Sequence, residues 1–485
     1  MNLIEQIDHW ALTAPNAIAH ISGDRRLTYG ELRRRSDALA AHLTERFGDG
    51  GIPIAVLGHR EPEMLIAFLA AVKARKPYVP LDTILPEQRI EKILAISRPA
   101  LLLTPQDVTK LSSSDTRAPV TCMKRDDPFY ILFTSGSTGE PKGVIITLGC
   151  LEHFVAWMLE EQKFLLFSET FLNTAPFSFD LSVMDVYCSL ATGGTLFSIS
   201  RDLVANPKML YRALGGSGAT TWVSTPSFAQ MCLVEDKFAE TMLPRVRRFL
   251  FCGETLAART AAHLVDRFPR AKVWNMYGPT EATVATTSVR IDRSILQEYS
   301  ALPVGRAMPA ADVFVVNGAG EVLPANERGE IVIAGPNVSP GYLGRPDITA
   351  TSFFEHRGRR AYRTGDQGRF RDGLLFFEGR MDSQVKVSGY RIELGDVEAN
   401  LVALPSVRDA VVAPVIKNGA PQSLAAFVVL SNATAASHFE LTQSLRQQLA
   451  ERLPVYMLPR KFVFRDAFPL TANGKVDRAR LAQSL

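Results

Sequence analysis

The chain has 485 residues, which is enough for two to four packing units rather than one. Its 54 lysines and arginines nearly balance 50 acidic residues, leaving a net charge of +4, so we expect no nucleic-acid partner. Hydrophobic residues make up 46% and charged residues 21%, which is typical of a globular protein and excludes extensive disorder.

Five cysteines are scattered along the chain without a C-x-x-C spacing, so we expect neither a disulfide framework nor a structural zinc site. Residues 1–15 carry Glu5 and Asp8 among apolar residues, a pattern unlike a signal peptide. The apolar run at residues 65–72 is too short to span a bilayer. We therefore expect a cytoplasmic protein without membrane insertion.

Helical and strand patterns alternate along most of the chain, which indicates an α/β protein. The predicted elements are a helix over 31–47, a strand over 53–57, a helix over 62–74, and strands over 78–80, 101–103, 130–133 and 144–146. After Gly329, short β-like runs separated by glycines indicate a small β unit. From about Gln384 the order becomes strand, helix, strand, strand, helix, with helices near 393–404 and 441–452. We therefore predict a core over residues 1–381 and a compact α+β domain over 382–485.

A loop rich in glycine and hydroxyl residues follows the predicted strand at 130–133. Its backbone N–H groups and hydroxyls can converge on phosphate oxygens, and its lysine adds a positive charge. It is not a Walker A loop, because Lys142 is followed by Gly143. The alternative is a flexible turn. The residues predicted to bind phosphate are Thr134, Ser135, Gly136, Ser137, Thr138, Gly139 and Lys142.

Further motifs follow downstream, each of which alone is compatible with an ordinary turn. In WNMYGPTE (274–281) the tyrosine ring offers a face for a purine, Asn275 an amide for base edges, and Glu281 a hard oxygen for Mg²⁺. YRTGD (362–366) and GRMD (379–382) place an aspartate where it can accept from both ribose hydroxyls. In NGKVDR (473–478), Lys475 stands ten residues from the end of the sequence, where a lysine is by default a solvated charge.

Taken together and in this order, these motifs resemble those of the adenylate-forming enzymes: acyl-CoA synthetases, luciferases and the adenylation domains of nonribosomal peptide synthetases. The stretches LTYGEL (27–32), KPYVPLD (76–82) and GRMDSQVKVSGYRIE (379–393) extend the resemblance almost end to end. The resemblance implies a large α/β core with two sheets and a small β unit, joined to a small mobile α+β C-terminal domain. It also implies ATP as substrate and Mg²⁺ as its companion ion.

The resemblance assigns roles by position. Thr280 and Lys475 would be catalytic, Glu281 would bind the metal, and Asp382 would be the hinge. Besides the phosphate loop, the implied ATP-binding residues are Asn275, Met276, Tyr277, Gly278, Pro279, Thr280, Asp366, Phe377, Gly379, Arg380 and Lys475.

Within the family, the stretches NTAPFSFDLSVMD (173–185), STPSFA (224–229) and RFLFCGE (248–254) are similar to the D-alanine–D-alanyl carrier protein ligases. This similarity implies that Asp180 pairs with a substrate ammonium, that Cys252 and Val284 line a pocket for a small amino acid, D-alanine foremost, and that Lys475 reaches its carboxylate. Asp180 could also cap the following helix, alone or together with the ammonium role, and Cys252 could be a buried hydrophobe.

The implied second partner is an acidic carrier protein with a phosphopantetheine arm, and we expect a monomer. The segment from residue 382 onward contains 12 basic and 9 acidic residues. This small positive excess has the sign that docking to an acidic carrier needs. The chain departs from the family where Arg75 and Lys76 replace glycines, and we interpret this as a surface change.

Three alternatives stay open. The chain could load another small amino acid (L-alanine, glycine, serine or L-proline) onto a biosynthetic carrier protein, or it could be an acyl-CoA ligase. It could also be an inactive homologue, although the joint presence of Lys142, Glu281, Asp366 and Lys475 argues against decay.

Overall fold

The computed structural model describes residues 2–113, 123–136, 139–382, 384–387, 389–417, 420–432, 437–469 and 476–485. The strands are β1 Ile18–Ser22, β2 Arg25–Thr28, β3 Ile54–Gly58, β4 Tyr78–Asp82, β5 Leu101–Leu103, β6 Pro128–Thr134, β7 Lys142–Thr147, β8 Thr170–Asn173, β9 Thr195–Ser198, β10 Thr221–Ser224, β11 Arg248–Phe251, β12 Lys272–Tyr277, β13 Thr287–Ile291, β14 Arg306–Ala307, β15 Asp312–Val316, β16 Gly329–Ala334, β17 Gly341–Tyr342, β18 Phe353–His356, β19 Arg359–Arg371, β20 Leu374–Arg380, β21 Gln384–Val387, β22 Tyr390–Glu393, β23 Val407–Lys417, β24 Ala420–Leu430 and β25 Lys461–Phe464.

The helices are α1 Leu3–Thr13, α2 Tyr29–Phe47, α3 Pro62–Lys73, α4 Glu87–Ser97, α5 Pro105–Leu111, α6 Leu148–Gln162, α7 Leu181–Ala191, α8 Arg201–Ala205, α9 Pro207–Gly216, α10 Pro226–Cys232, α11 Ala258–Arg267, α12 Arg293–Glu298, α13 Pro346–Ser352, α14 Leu394–Val402, α15 His438–Ala450 and α16 Arg478–Gln483, with 3₁₀ turns at Thr280–Ala282 and Val455–Met457. Within the described ranges, no helix is long and apolar enough to cross a membrane.

Two mixed sheets organise most of the chain. One has the strand order β14-β13-β12-β11-β10-β8-β9-β1-β2, and the other has the order β17-β7-β6-β4-β3-β5. Pairing is parallel from β12 through β11, β10, β8, β9 and β1, and between β4 and its neighbours β3 and β6. Parallel strands of this kind require helical crossovers, which agrees with the alternating pattern of the sequence.

The described residues fall into two compact units. The first comprises residues 1–82, 97–132 and 143–379, and the second comprises 83–96, 133–142 and 380–485. The division predicted from the sequence, a core over 1–381 and a C-terminal domain over 382–485, stays a prediction.

The first unit is built around two largely apolar helices that are buried on every side. In α3 every residue from Pro62 to Val72 is buried, and in α7 every residue from Leu181 to Ala191 is buried. A helix that is hydrophobic all round must lie inside a protein. Both helices belong to the main hydrophobic core, and a second core surrounds Trp222. A separate sheet of β15, β16, β19, β18 and β20 contains the small β unit expected after Gly329 and adds β15, which precedes that residue.

The second unit contains the β21–β22 hairpin and the sheet β23-β24-β25, in which β25 runs parallel to β24. Helices α14 and α15 pack on these strands around Ile392, Leu401, Val428 and Leu449. The predicted order of strand, helix, strand, strand, helix is confirmed, with β22, β25 and α16 as additional elements.

One interpretation from the sequence is wrong. Lys76 is completely buried rather than on the surface, and its Nζ donates to the carbonyl oxygens of Gly48 and Gly50, both at 3.0 Å. Gly48 is the C-cap of α2, so the lysine charge satisfies carbonyls at the negative end of a helix. Arg75 adopts a φ of 54°, the left-handed conformation in which glycine is the usual residue.

Candidate active site

Three of the residues predicted to bind the amino acid, Asp180, Cys252 and Val284, gather at one edge of the larger sheet. Strands β8, β10, β11 and β12 run parallel, so their carboxyl ends meet at the same edge. Cys252 directly follows β11, and a turn over residues 279–286 follows β12 after Gly278. Asp180 follows β8 and stands at the start of α7. In open α/β sheets this edge is where ligands bind.

Asp180 and Thr280 are in direct contact. The Thr280 hydroxyl donates to Oδ2 of Asp180 at 2.6 Å, although the two residues are 100 positions apart. Asp180 occupies the N-cap position of α7, but its backbone is already helical and its side chain makes no capping hydrogen bond. The alternative prediction that this side chain caps the helix is therefore wrong. The carboxylate instead faces the turn that carries Thr280.

Cys252 and Val284 form the second contact. The Cys252 thiol donates to the Val284 carbonyl oxygen at 3.4 Å, and both residues are buried. Cys252 also belongs to the main core, so it is a buried hydrophobe as well as a neighbour of Val284. Because Thr280 and Val284 lie on the same turn, Asp180, Thr280, Cys252 and Val284 are brought into one neighbourhood.

The backbone at Val284 is strained. Thr283 and Val284 have φ values of 55° and 68°, and the Ala285 N–H donates to the Thr283 carbonyl at 2.8 Å. This is a γ-turn with positive φ, a rare conformation, and it is unusual for a β-branched residue. Such a residue costs on the order of 1–3 kcal/mol and persists only where its surroundings hold it. Gly278 permits the turn, because a Cβ there would lie 2.6 Å from the Ala285 Cα.

The predicted nucleotide residues of the first unit also meet. The Tyr277 hydroxyl donates to Oδ2 of Asp366 at 2.6 Å, and the Tyr277 and Phe377 rings lie 6.0 Å apart, tilted by 34°. Asp366 is buried, and its N–H donates to the Thr364 hydroxyl at 3.0 Å. Two aromatic rings and a carboxylate thus stand side by side, as a nucleoside site requires.

Other residues predicted to bind ATP flank this group. Met276, Gly278 and Pro279 are buried beside Tyr277. Asn275 is also buried, and its amide nitrogen donates to the Pro303 carbonyl at 2.8 Å. That bond gives Asn275 a structural contact, and its role towards the base stays a prediction.

Glu281 is completely buried, and Tyr342 donates a hydrogen bond to its Oε1 at 2.8 Å. The Tyr342 hydroxyl lies 3.3 Å from that of Tyr362. No group of three or more metal-ligating acids, histidines or cysteines occurs in the part of the chain that the structure describes. Magnesium in nucleotide sites uses one or two carboxylates and completes its shell with phosphates and water. Glu281 therefore fits a Mg²⁺ ion that enters with a nucleotide.

Part of the predicted phosphate loop lies in the second unit, where the C-terminal segment contacts it. The Ser135 hydroxyl donates to the Arg391 carbonyl at 2.9 Å and accepts from the Glu393 N–H at 3.1 Å. Burial raises the pKa of Glu393, and the positive charges of Lys142 and Arg391 offset part of that rise. The Thr134 hydroxyl is buried and has no hydrogen-bond partner among the described residues.

The structure describes some, but not all, of the remaining residues predicted to bind ATP. Gly136 and Gly139 are buried, and Gly139 and Gly379 have positive φ values of 84° and 121°. Arg380 forms a double hydrogen bond with Asp382, at 2.9 and 2.5 Å, across the proposed hinge. Ser137, Thr138 and Lys475 lie outside the described residues, so their roles stay predictions.

Two residues of this neighbourhood were not predicted. Asn337 and Tyr342 lie in GPNVSPGYLG (335–344) and reach the 279–286 turn by hydrogen bonds. Their spacing follows no helix, strand or ligand pattern. Only the high glycine and proline content of the segment signalled an irregular structure.

Known proteins identify the class. Residues 7–343 match the family model described as AMP-binding enzyme, and residues 396–475 match that of the AMP-binding enzyme C-terminal domain. The chain therefore belongs to the AMP-binding enzyme family, and the fold class predicted from the sequence is confirmed.

Among its curated relatives are proteins named D-alanine–D-alanyl carrier protein ligase from Bacillus mycoides (strain KBAB4) and Bacillus cereus (strain AH187). Each is 45% identical over 499 residues, an alignment that covers 99% of both chains.

Solved structures share the architecture. A nonribosomal peptide synthetase protein containing adenylation and PCP domains aligns with a TM-score of 0.85 at 26% identity, over 100% of this chain and 84% of that one. The Vibrio cholerae adenylation domain AlmE, in complex with glycyl-adenosine-5′-phosphate, aligns with a TM-score of 0.86 over 99% and 97%. At 22% identity the latter likeness concerns the fold alone.

Proposed function

We propose that this enzyme activates D-alanine with ATP and transfers the D-alanyl group to the phosphopantetheine thiol of a D-alanyl carrier protein, as in the D-alanylation of teichoic acids of the cell envelope. The full-length identity of 45% to ligases of that name supports the substrate pair. The observation that carries the proposal is the joining of Asp180, Thr280, Cys252 and Val284 through one turn. This arrangement offers a carboxylate for an ammonium beside small, buried walls for a methyl group.

In the first half-reaction, a carboxylate oxygen of D-alanine bonds to the α-phosphorus of ATP, and the bond from that phosphorus to pyrophosphate breaks. The attacking oxygen already carries a negative charge, so the protein contributes positioning and charge neutralisation. Asp180 holds the ammonium group, and Thr280, which donates to Asp180 in this structure, lies next to the α-phosphate. Lys475 approaches the carboxylate and the phosphate, where charge accumulates.

ATP lies against the residues described above. Tyr277 and Phe377 provide aromatic faces for adenine, and Asp366 and Arg380 bind the ribose. The loop of residues 134–142 surrounds the phosphates that leave as pyrophosphate. Mg²⁺, which neutralises phosphate charge when it is bound, would be held by Glu281.

In the second half-reaction, the carrier thiol attacks the acyl carbon, a carbon–sulfur bond forms, and AMP leaves with the electrons of the carbon–oxygen bond. Lys475 must then vacate the path of the phosphopantetheine arm. The segment from 382 onward turns about Asp382 to clear it, a hinge motion in which few residues change conformation. The basic excess of that segment suits an acidic carrier.

Amino-acid-dependent ATP–pyrophosphate exchange tests the proposal, with D-alanine, L-alanine, glycine, L-serine and L-proline as substrates. We expect the highest kcat/KM with D-alanine, followed by thioester formation on a holo D-alanyl carrier protein. A higher kcat/KM for another amino acid would contradict the assignment to D-alanine. Exchange with none of the five would indicate an acyl-CoA ligase instead.

A further inference from the structure

The strained 279–286 turn is held from outside by a second segment of the first unit. Asn337 is completely buried, and its side-chain Nδ2 donates to the Ala282 carbonyl and to the Thr286 hydroxyl, both at 2.9 Å. Its backbone carbonyl accepts from the Thr283 hydroxyl at 2.7 Å. These bonds flank Val284 on both sides, so Asn337 holds the two arms of the γ-turn at a fixed distance.

The other half of the turn has different supports. Ser339 donates from its N–H to the Glu281 carbonyl at 2.8 Å, and Tyr342 donates to the Glu281 carboxylate. Thr280 is tied to Asp180. Hence Thr280 and Glu281, which are assigned to the nucleotide, are held by different hydrogen bonds from those that hold Val284, which is assigned to the amino-acid pocket.

We propose that Asn337 is a positioning residue that sets amino-acid specificity, because its carboxamide holds Val284 in the γ-turn against Cys252. The inference rests on the proposed function, since it requires that Val284 bounds the amino-acid pocket. Without the Asn337 donors, the link left between the two arms is the longer hydrogen bond, at 3.5 Å, from the Thr286 hydroxyl to the Ala282 carbonyl, so Val284 is freer to return to negative φ. The Val284 side chain and the carbonyl that Cys252 contacts then both move.

Asn337→Ala removes both side-chain donors and keeps the backbone carbonyl. We expect kcat/KM for D-alanine to fall by roughly 10- to 100-fold, because misplacement by about 1 Å has costs of that size. Larger D-amino acids such as D-valine should lose less, so the D-alanine to D-valine preference should fall about tenfold, within the range that one or two methylenes provide. The KM for ATP should change by less than about threefold, because Glu281 and Thr280 keep their own anchors.

The experiment measures exchange kinetics for D-alanine, D-valine and ATP in the full-length enzyme and its variants. Tyr342→Phe removes one hydrogen bond from the nucleotide half of the same turn, and should raise the KM for ATP while keeping the amino-acid preference. Asn317→Ala alters a half-buried asparagine whose Nδ2 donates to Glu321, outside both halves of the 279–286 turn, and should leave all constants unchanged. Asn337→Ser keeps one donor, should give an intermediate preference, and serves if Asn337→Ala does not fold.

A double-mutant cycle separates positioning from general damage. Glycine tolerates positive φ, so in a Val284→Gly background Asn337 has no side chain to position. We expect Asn337→Ala to leave the preference of that background unchanged. An unaltered preference in Asn337→Ala, a parallel loss of ATP affinity, or multiplying effects in the double variant would each overturn the inference. Absence of D-alanine-dependent exchange in the unaltered enzyme would instead overturn the proposed function.

Discussion

The hydrogen bond between Thr280 and Asp180 ties the residue proposed to contact the α-phosphate to the residue proposed to hold the ammonium. Asp180 is half-buried and makes no helix-capping bond, so its carboxylate is directed at Thr280 rather than at its own helix. Asparagine in its place keeps an oxygen for the Thr280 bond but removes the charge.

We predict that Asp180→Asn lowers kcat/KM for D-alanine in ATP–pyrophosphate exchange. Truncating a desolvated charge pair costs about 2–4 kcal/mol, or roughly 30- to 1,000-fold. Asp185→Asn is the matched control, because Asp185 lies on the same helix, is completely buried and bonds to Asn173 instead. Similar losses in the two variants would show that general damage to α7, and not the ammonium contact, explains the effect.

Among individual residues, the sequence predicted those whose side-chain chemistry is distinctive. Asp180, Thr280, Cys252 and Val284 follow strands whose carboxyl ends coincide, and all four lie together in the structure. Asn337 could not be predicted, because its role depends on hydrogen bonds to a turn 51 to 55 positions away. The charge of Lys76 favoured a position on the surface. The lysine is buried instead, because a distant part of the chain provides the helix-terminal carbonyl that accepts from its Nζ.

Among the elements, α4 and α14 of the second unit are joined by a buried ion pair. Arg89 lies 3.2 Å from Oδ2 of Asp396, and both side chains are almost inaccessible to solvent. Burial raises the pKa of Asp396, and the charge of Arg89 opposes that rise. Breaking a buried pair by removing one partner costs more than the intact pair contributes, because it leaves an uncompensated charge.

We predict that Arg89→Ala destabilises the second unit by about 3–5 kcal/mol, measured as loss of amide hydrogen-exchange protection in α14. Protonation of Asp396 removes the unpaired charge, so the deficit should shrink as the pH falls through its raised pKa. Lys92→Ala is the control on the same helix, since its pair with Glu140 is exposed and should contribute at most about 1 kcal/mol. A deficit that is constant with pH would contradict this account.

Element types were predictable where the period was strong, and element bounds were less so. The predicted helix over 31–47 is α2, Tyr29–Phe47, which begins earlier because Thr28 and Glu31 form a capping box. The strand predicted to start at 78–80 continues to Asp82, because it pairs with β3 along its whole length. Pairing partners are tertiary information that a local apolar pattern does not contain.

At the scale of the whole molecule, the proposed mechanism uses Lys475 for adenylate formation and the hinge at Asp382 for thioester formation. We predict that Lys475→Ala slows adenylate formation in pyrophosphate exchange on the order of 10²–10³-fold, yet largely spares thioester formation from supplied D-alanyl-AMP. Equal loss in both steps would exclude the assigned role of Lys475.

We predict the opposite result for Asp382→Pro, because proline restricts the φ rotation that the hinge needs. Exchange should persist and carrier loading should fail, with circular dichroism as the check on folding. Asp382→Ala removes the ion pair with Arg380 but keeps the hinge backbone free, so carrier loading from supplied adenylate should continue. Loading by Asp382→Pro at the unaltered rate would place the hinge elsewhere.

The sequence did not predict which earlier segments group with the C-terminal segment in the second unit. Residues 83–96 and 133–142 group with residues 380–485 through contacts such as those of Arg89 and Ser135, which join positions hundreds of residues apart. Composition changes marked the C-terminal segment, but no local pattern indicated which earlier segments it contacts.

The Ser135 hydroxyl has a single proton, and the Arg391 carbonyl, 256 residues further along the chain, already receives it. A nucleotide phosphate that accepts this hydrogen bond replaces the Arg391 carbonyl of β22. The phosphate and the backbone carbonyl therefore compete for one donor. By thermodynamic reciprocity, each then weakens the other's binding by the same factor. Where Ser135 donates to a phosphate as we propose, nucleotide affinity is subject to competition from the enzyme's own main chain.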